Sequence, residues 1–177
     1  MGYSKLEKNL IDLMKEEQAK LGYRKEAVRL YYPLSSLNHL FDAEDSVDAM
    51  QERLIHFPED MTAKLGMLTV THKGDRFCFR IPEEGSEYVH EHMGANEFIK
   101  ELVEILWQHG TTMEQIRALF DRHADGVTCE NIDNGEFDYL LRFPESVGDP
   151  YYYCFKDEGC HIIYHRFLPE DYTDFDF

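Results

Sequence analysis

The sequence predicts a single α+β domain over residues 1–177, with helices packed on an antiparallel sheet. Three observations carry that prediction. Apolar residues recur at helical spacing over 5–21, 95–109 and 111–124. Residues 67–82 alternate apolar and polar about a Gly-Asp pair. After Gly126 the pattern changes to strands, which gives a C-terminal β-meander of about four strands. The chain is organised as a helical and hairpin N-terminal part, 1–93, followed by an αα-hairpin and meander, 94–177.

Along the first part, Leu6, Leu10, Leu13, Met14 and Leu21 mark the opening helix, and Gly22 is its stop. Val28, Leu30 and Tyr32 alternate with Ala27, Arg29 and Tyr31, a short strand ending at Pro33. Ser35 or Ser36 is placed to cap a short helix through Leu37, Leu40 and Phe41. Ser46 caps another, with Val47, Met50 and Leu54 inward, which stops before Pro58. With Gly74-Asp75 as a two-residue type II′ turn, Lys73 faces Arg76, His72 faces Phe77, Val70 faces Phe79 and Leu68 faces Ile81. Thr71 with Cys78 and Thr69 with Arg80 then share the polar face. A one-residue slip would scramble that sorting, so the pattern selects the register. The hairpin either extends the C-terminal meander or forms a small sheet of its own.

In the second part, Phe98, Leu102, Ile105 and Leu106 form the stripe of a helix stopped by Gly110, with Trp107 on its flank. Thr111 opens the next helix with Glu114 as its capping-box partner, and Met113, Ile116, Leu119 and Phe120 face inward. Asn134-Gly135 signals a hairpin joining a strand near 127–132 to one near 136–143, where Phe137, Tyr139, Leu141 and Phe143 share a face. Residues 151–156 pair with 160–168 around Asp157-Glu158-Gly159. A three-residue loop there pairs Phe155 with His161. A four-residue loop pairs Phe155 with Cys160 and puts the histidines beside Tyr152 and Cys154. The tail, Pro169 to Phe177, offers Tyr172, Phe175 and Phe177 as docking groups.

Charge excludes several jobs. Thirty-five Asp and Glu oppose 18 Lys and Arg, a net charge of -17. That field opposes nucleic-acid phosphates and anionic membrane surfaces, and it favours a basic protein as partner. Residues 1–33 carry seven basic groups and five acidic ones, so the rest of the chain carries -19. The acids gather at 42–60, with seven acids and Arg53, and at 125–149, with seven acids and Arg142. Met1 to Lys8 contains no apolar run of a secretory signal, and no stretch reaches bilayer-spanning length. Cys78, Cys129, Cys154 and Cys160 form no C-x-x-C pair, so four reduced thiols in a cytoplasmic protein are expected.

Few motifs carry chemistry. The helix pair at 95–124 exposes Gln115, Arg117 and Arg122, but three basic groups against five acids make it a poor phosphate-binding face. Asp121 to Gly126 opens like a calcium loop, yet His123 and Ile132 stand where ligands are required. His90-Glu91-His92 is the densest cluster. On a strand His90 and His92 point the same way and suit a metal or a general base; on a helix they diverge. A third ligand would come from Glu87, His161 or His165. Arg24, Lys25 and Arg29 are the candidates for an anion. No cofactor-binding motif is present.

Several segments carry a resemblance. They are Leu6-Glu7-Lys8-Asn9-Leu10, Glu26 to Pro33, Cys129 to Tyr139, Tyr153 to Gly159 and Ile163-Tyr164-His165-Arg166-Phe167. Through them the chain resembles, over nearly its whole length, a family of uncharacterised proteins from gut Clostridia. The resemblance implies a cytoplasmic bacterial protein and no mechanism. The residues themselves favour a non-catalytic, acidic protein-interaction or regulatory module. The alternatives are a small metal-dependent hydrolase using His90 and His92, and a ligand-binding protein with a Tyr-lined pocket.

Overall fold

The computed structural model describes residues 2–173. They form an α+β structure with two antiparallel sheets, and they pack as two compact units that divide between Asn96 and Glu97. Among the described residues no helix is long and apolar enough to cross a membrane.

The first unit opens with α1 (Ser4–Leu21), which buries Leu6, Leu10 and Met14 at successive i+4 positions. Gly22 ends it at φ +73, a conformation that costs glycine little. β1 (Val28–Pro33) leads directly into α2 (Leu34–Phe41). Pro33 occupies the N-cap position, so Ser35 and Ser36 lie inside the first turn and neither caps the helix. Ser46 does cap α3 (Val47–Arg53), its Oγ accepting from the Ala49 N–H. The expected end before Pro58 hid a further helix, α4 (Phe57–Leu65). Pro58 sits in its first turn, where the missing N–H has no partner to lose, and Glu59 and Asp60 favour the same helix end.

β2 (Thr69–Lys73) and β3 (Arg76–Ile81) form the hairpin in the expected register, from Thr69 opposite Arg80 to Lys73 opposite Arg76. Gly74 takes φ +60, and Asp75 is not in the positive region, as a type II′ turn requires. β1 pairs with the other edge of β3, so the hairpin belongs to its own three-stranded sheet, ordered β1-β3-β2. Leu30, Tyr32, Phe77, Phe79 and Ile81 bury one face of that sheet. Phe57 of α4 packs edge-on against Phe79. The buried Asn9 of α1 accepts a 2.6 Å hydrogen bond from the Tyr32 hydroxyl. The segment that ends in His90-Glu91-His92, open between strand and helix from sequence, is α5 (Glu83–His92). Gly85 lets α5 lie against the end of α4: a Cβ there would stand 2.3 Å from the Leu65 carbonyl oxygen.

In the second unit, α6 (Glu97–Leu106) and α7 (Met113–His123) bury Phe98, Leu102, Ile116 and Phe120. The capping box is one residue later than expected. Thr112 accepts from the Gln115 N–H, and the Gln115 side chain accepts from the Thr112 N–H at 2.9 Å. Thr111 is buried, and its one hydroxyl proton is shared between the carbonyls of Ile105 and Gln108, which closes the preceding helix.

β4 (Thr128–Asn131), β5 (Tyr139–Arg142), β6 (Tyr152–Asp157) and β7 (Ile162–Phe167) form the four-stranded meander in sequence order. Asn134-Gly135 makes no two-residue turn. Asn131 stands opposite Tyr139, and Asn134 Oδ1 accepts from the N–H groups of Glu136 and Phe137. The longer loop moves Phe137 off the expected face. It packs with Leu140, Cys154 and Phe167, while Phe143 packs with Tyr153. A four-residue loop, 158–161, joins β6 and β7 two residues beyond the place considered from sequence, so that Phe155 faces Tyr164 and Cys154 faces His165. His165 therefore shares a face with Tyr152 and Cys154, while His161 lies in the loop. Phe98 and Phe120 cover the Tyr153 face. Tyr172, from α8 (Pro169–Thr173), packs edge-on against Tyr152 and Phe167 on the other. Phe175 and Phe177 lie outside the described residues.

Candidate functional site

α5 sets the geometry of the histidine cluster. Two residues apart on a helix, His90 and His92 point roughly 200° apart. Each ring has its own tyrosine. His90 stacks on Tyr23, with centroids 4.1 Å apart and planes within 3°. His92 stacks on Tyr88 at 4.7 Å, one turn back on the same helix. Glu87 faces Lys25 at 3.7 Å. In the second unit, His161 pairs with Glu158 at 2.8 Å and His165 packs on Phe167 at 4.3 Å. Among the described residues no group of three or more His, Cys, Asp or Glu is placed to hold a metal ion. The cations of the helix pair are turned to neighbours, Arg117 to Asp121 and Arg122 to Glu101.

The two acidic stretches differ in what their carboxylates do. Across 125–149 three of them serve the fold. Asp138 binds Lys156 at 2.9 Å and also accepts from the Asp157 N–H. Asp149 accepts from the Tyr153 hydroxyl and the Tyr151 N–H. Glu130 lies 3.4 Å from Arg142. An open cleft of about 610 Å³ borders this region, with Tyr151, Tyr152, Arg142 and Asp149 on its walls. Arg142 is already engaged by Thr128, Tyr152 and Glu130, so the polar groups of that cleft are used within the fold.

Within 42–60 the helix ends are fixed in the same way, but the helix face is not. Asp42 binds Lys5 at 2.8 Å. The Asp45 carboxylate is held by Arg53 at 2.5 Å, a hydrogen bond that lowers it below the ordinary value, and the Asn38 side chain binds the Asp45 main-chain N–H and C=O. The side-chain carboxylates of Asp48 and Glu52 of α3 have no ion pair or hydrogen bond among the described residues. They stand one turn apart, where like charges destabilise a helix. Both line a cleft of about 800 Å³ between α3, the 54–58 turn and β2. Leu54, Ile55, Pro58 and Phe77 give it apolar walls, and Val70 and His72 of β2 close its side. Ile55 is 64% exposed there. Among the described residues no Lys or Arg lines it.

The sequence marked the acids of this cleft and missed its other wall. The alternation over 67–82 located the hairpin, but nothing in it said which strand would stand at the sheet edge. The burial contrast is the available signal: β3 carries three large apolar residues on one face, and β2 carries only Val70.

A family model described as a domain of unknown function, from an E. rectale gene description (DUF3877), matches residues 3–175. No curated protein and no solved structure matches the chain.

Proposed function

The chain belongs to this domain-of-unknown-function family, a membership that assigns no chemistry, and we propose from its own surfaces that it is a non-catalytic protein-interaction module for a basic partner segment. The carrying observation is the cleft between α3 and β2, where Asp48 and Glu52 stand without counter-cations over apolar walls. A Lys or Arg side chain fits that chemistry: its aliphatic stem covers Ile55 and Pro58 while its charge meets the carboxylates. The surrounding charge of -17 speeds the approach of such a segment and makes it sensitive to salt.

The test is titration of an unstructured octalysine peptide into the protein at low and at physiological ionic strength. Binding is expected at low salt and to weaken as salt rises. The double substitution Asp48→Asn/Glu52→Gln is expected to reduce affinity by about tenfold or more. A double variant that binds as tightly as the parent protein removes the cleft from the reading.

A further inference from the structure

We infer that the partner segment enters this cleft as an extended strand, adding to the open edge of β2; the inference rests on the acidic-cleft reading and specifies its mode. β2 is bonded to β3 on one side only. In a two-residue hairpin the residues flanking the turn exchange hydrogen bonds, so Lys73, Thr71 and Thr69 direct their N–H and C=O groups toward β3. Val70 and His72 then direct theirs outward. These are the residues that close the side of the cleft. Thr69, Thr71, His72 and Lys73 are all exposed, so nothing else in the described structure blankets this edge. Natural sheets shield such edges, and an open one beside an apolar groove is suited to strand addition.

The two faces of the sheet set a pattern for the incoming strand. On the Val70 and His72 side, its residues meet Asp48, Glu52 and the apolar walls, and a Lys or Arg is favoured. On the other side, the sheet presents Arg29, Arg76, Arg80 and Lys73, all exposed and without an acid on that face. A cation there is repelled. The segment that fits therefore alternates, with a basic residue toward α3 and a neutral or acidic residue toward the arginines.

The experiment uses the whole protein and a capped octapeptide alternating Lys and Thr. Two further versions carry N-methyl groups on the Lys amides or on the Thr amides. All three have the same charge. Only one set of peptide N–H groups can face β2, so strand addition requires the two methylated peptides to differ by about tenfold or more. The Lys-methylated peptide loses affinity if the strand runs antiparallel to β2, and the Thr-methylated peptide if it runs parallel. His72→Pro removes an outward N–H while sparing the β2–β3 ladder, and is expected to lose a similar factor with its circular dichroism unchanged. Equal affinities of the two methylated peptides overturn strand addition. If Asp48→Asn/Glu52→Gln still weakens them, the acidic-cleft reading stands without this mode. If that variant has no effect either, both readings fall. The peptide comparison decides the matter even where His72→Pro does not fold.

Discussion

Asp138 sits where one carboxylate ties two strands of the meander. The hydrogen bond from Lys156, helped by the Asp157 N–H, holds its carboxyl below the ordinary 3.8. The depressed folded value means that its contribution is fully present above about 3.8 and is lost as pH falls through the lower value. Asp138→Asn is therefore expected to lower the urea midpoint at neutral pH, with the gap closing as the medium is made more acid. A gap that stays constant down to strongly acid pH contradicts the assignment. Cys154, by contrast, is pushed up to about 12 by burial alone, and so is an inert packing thiol. Little of this was legible from residue identity. Ser46 read correctly because its cap is a local hydrogen bond. Gly85 gave no signal, because the Leu65 carbonyl that excludes a side chain is 20 residues earlier in sequence and is brought close only by packing. Asp48 and Asp138 look alike in sequence; only the fold supplies one with a lysine and leaves the other facing a cleft.

At the scale of elements, adjacent threonines at 111 and 112 do opposite jobs. Thr112 starts α7, and Thr111 finishes α6. Thr112→Ala is expected to cost about 1 kcal/mol, the usual loss for an N-cap. Thr111→Val takes the side-chain donor from the Gln108 carbonyl, while the Ile105 carbonyl keeps the Gln108 N–H, and the loss at this buried threonine is expected to cost more, roughly 1–3 kcal/mol. Urea unfolding of both variants checks the order, and a larger loss at Thr112 contradicts it. The sequence placed the box at Thr111 and Glu114 because both threonines satisfy the local rule, and the choice is made by the end of the preceding helix. Period-two sorting was a stronger guide: every pair of the β2–β3 ladder, from Thr69 with Arg80 to Lys73 with Arg76, was readable because a slip reverses all faces at once. Asn134-Gly135 misled because Asn134 uses its side chain to bind two backbone N–H groups, an alternative to the tight turn. α5 was not legible for another reason. Its buried stripe uses Gly85, Ser86 and Val89, residues too small or polar to register as a helical face. With α5 a helix, His90 and His92 part company, and the shared strand face on which a metal pair was drawn is not formed.

Across the whole molecule the charge is divided unevenly. Residues 1–96 carry 12 basic and 17 acidic groups, a net -5, whereas residues 97–177 carry 6 and 18, a net -12. The open sheet face with Arg29, Arg76, Arg80 and Lys73 accounts for much of the milder balance of the first unit. Composition alone located the excess but not this face, nor the cleft beside it, because α3 and β2 are separate elements that only the fold brings together. The exposed ion pairs, such as Lys5 with Asp42 and Lys100 with Glu97, are each worth little. The long-range term is repulsion among carboxylates that have no partner, and it opposes the compact state. Screening acts on both, but it acts more on charges beyond a Debye length, which shrinks from about 30 Å at 0.01 M salt to about 8 Å at 0.15 M. Raising NaCl over that range is therefore expected to stabilise the protein, by about 1 kcal/mol or a rise of about 2–4 °C in Tm. The gain belongs mainly to the second unit, so amide exchange followed by mass spectrometry should slow more over 97–173 than over 2–96. A Tm that falls with added NaCl means the local ion pairs outweigh the repulsion, and an equal slowing in both units means the -12 is no greater burden to its unit than the -5.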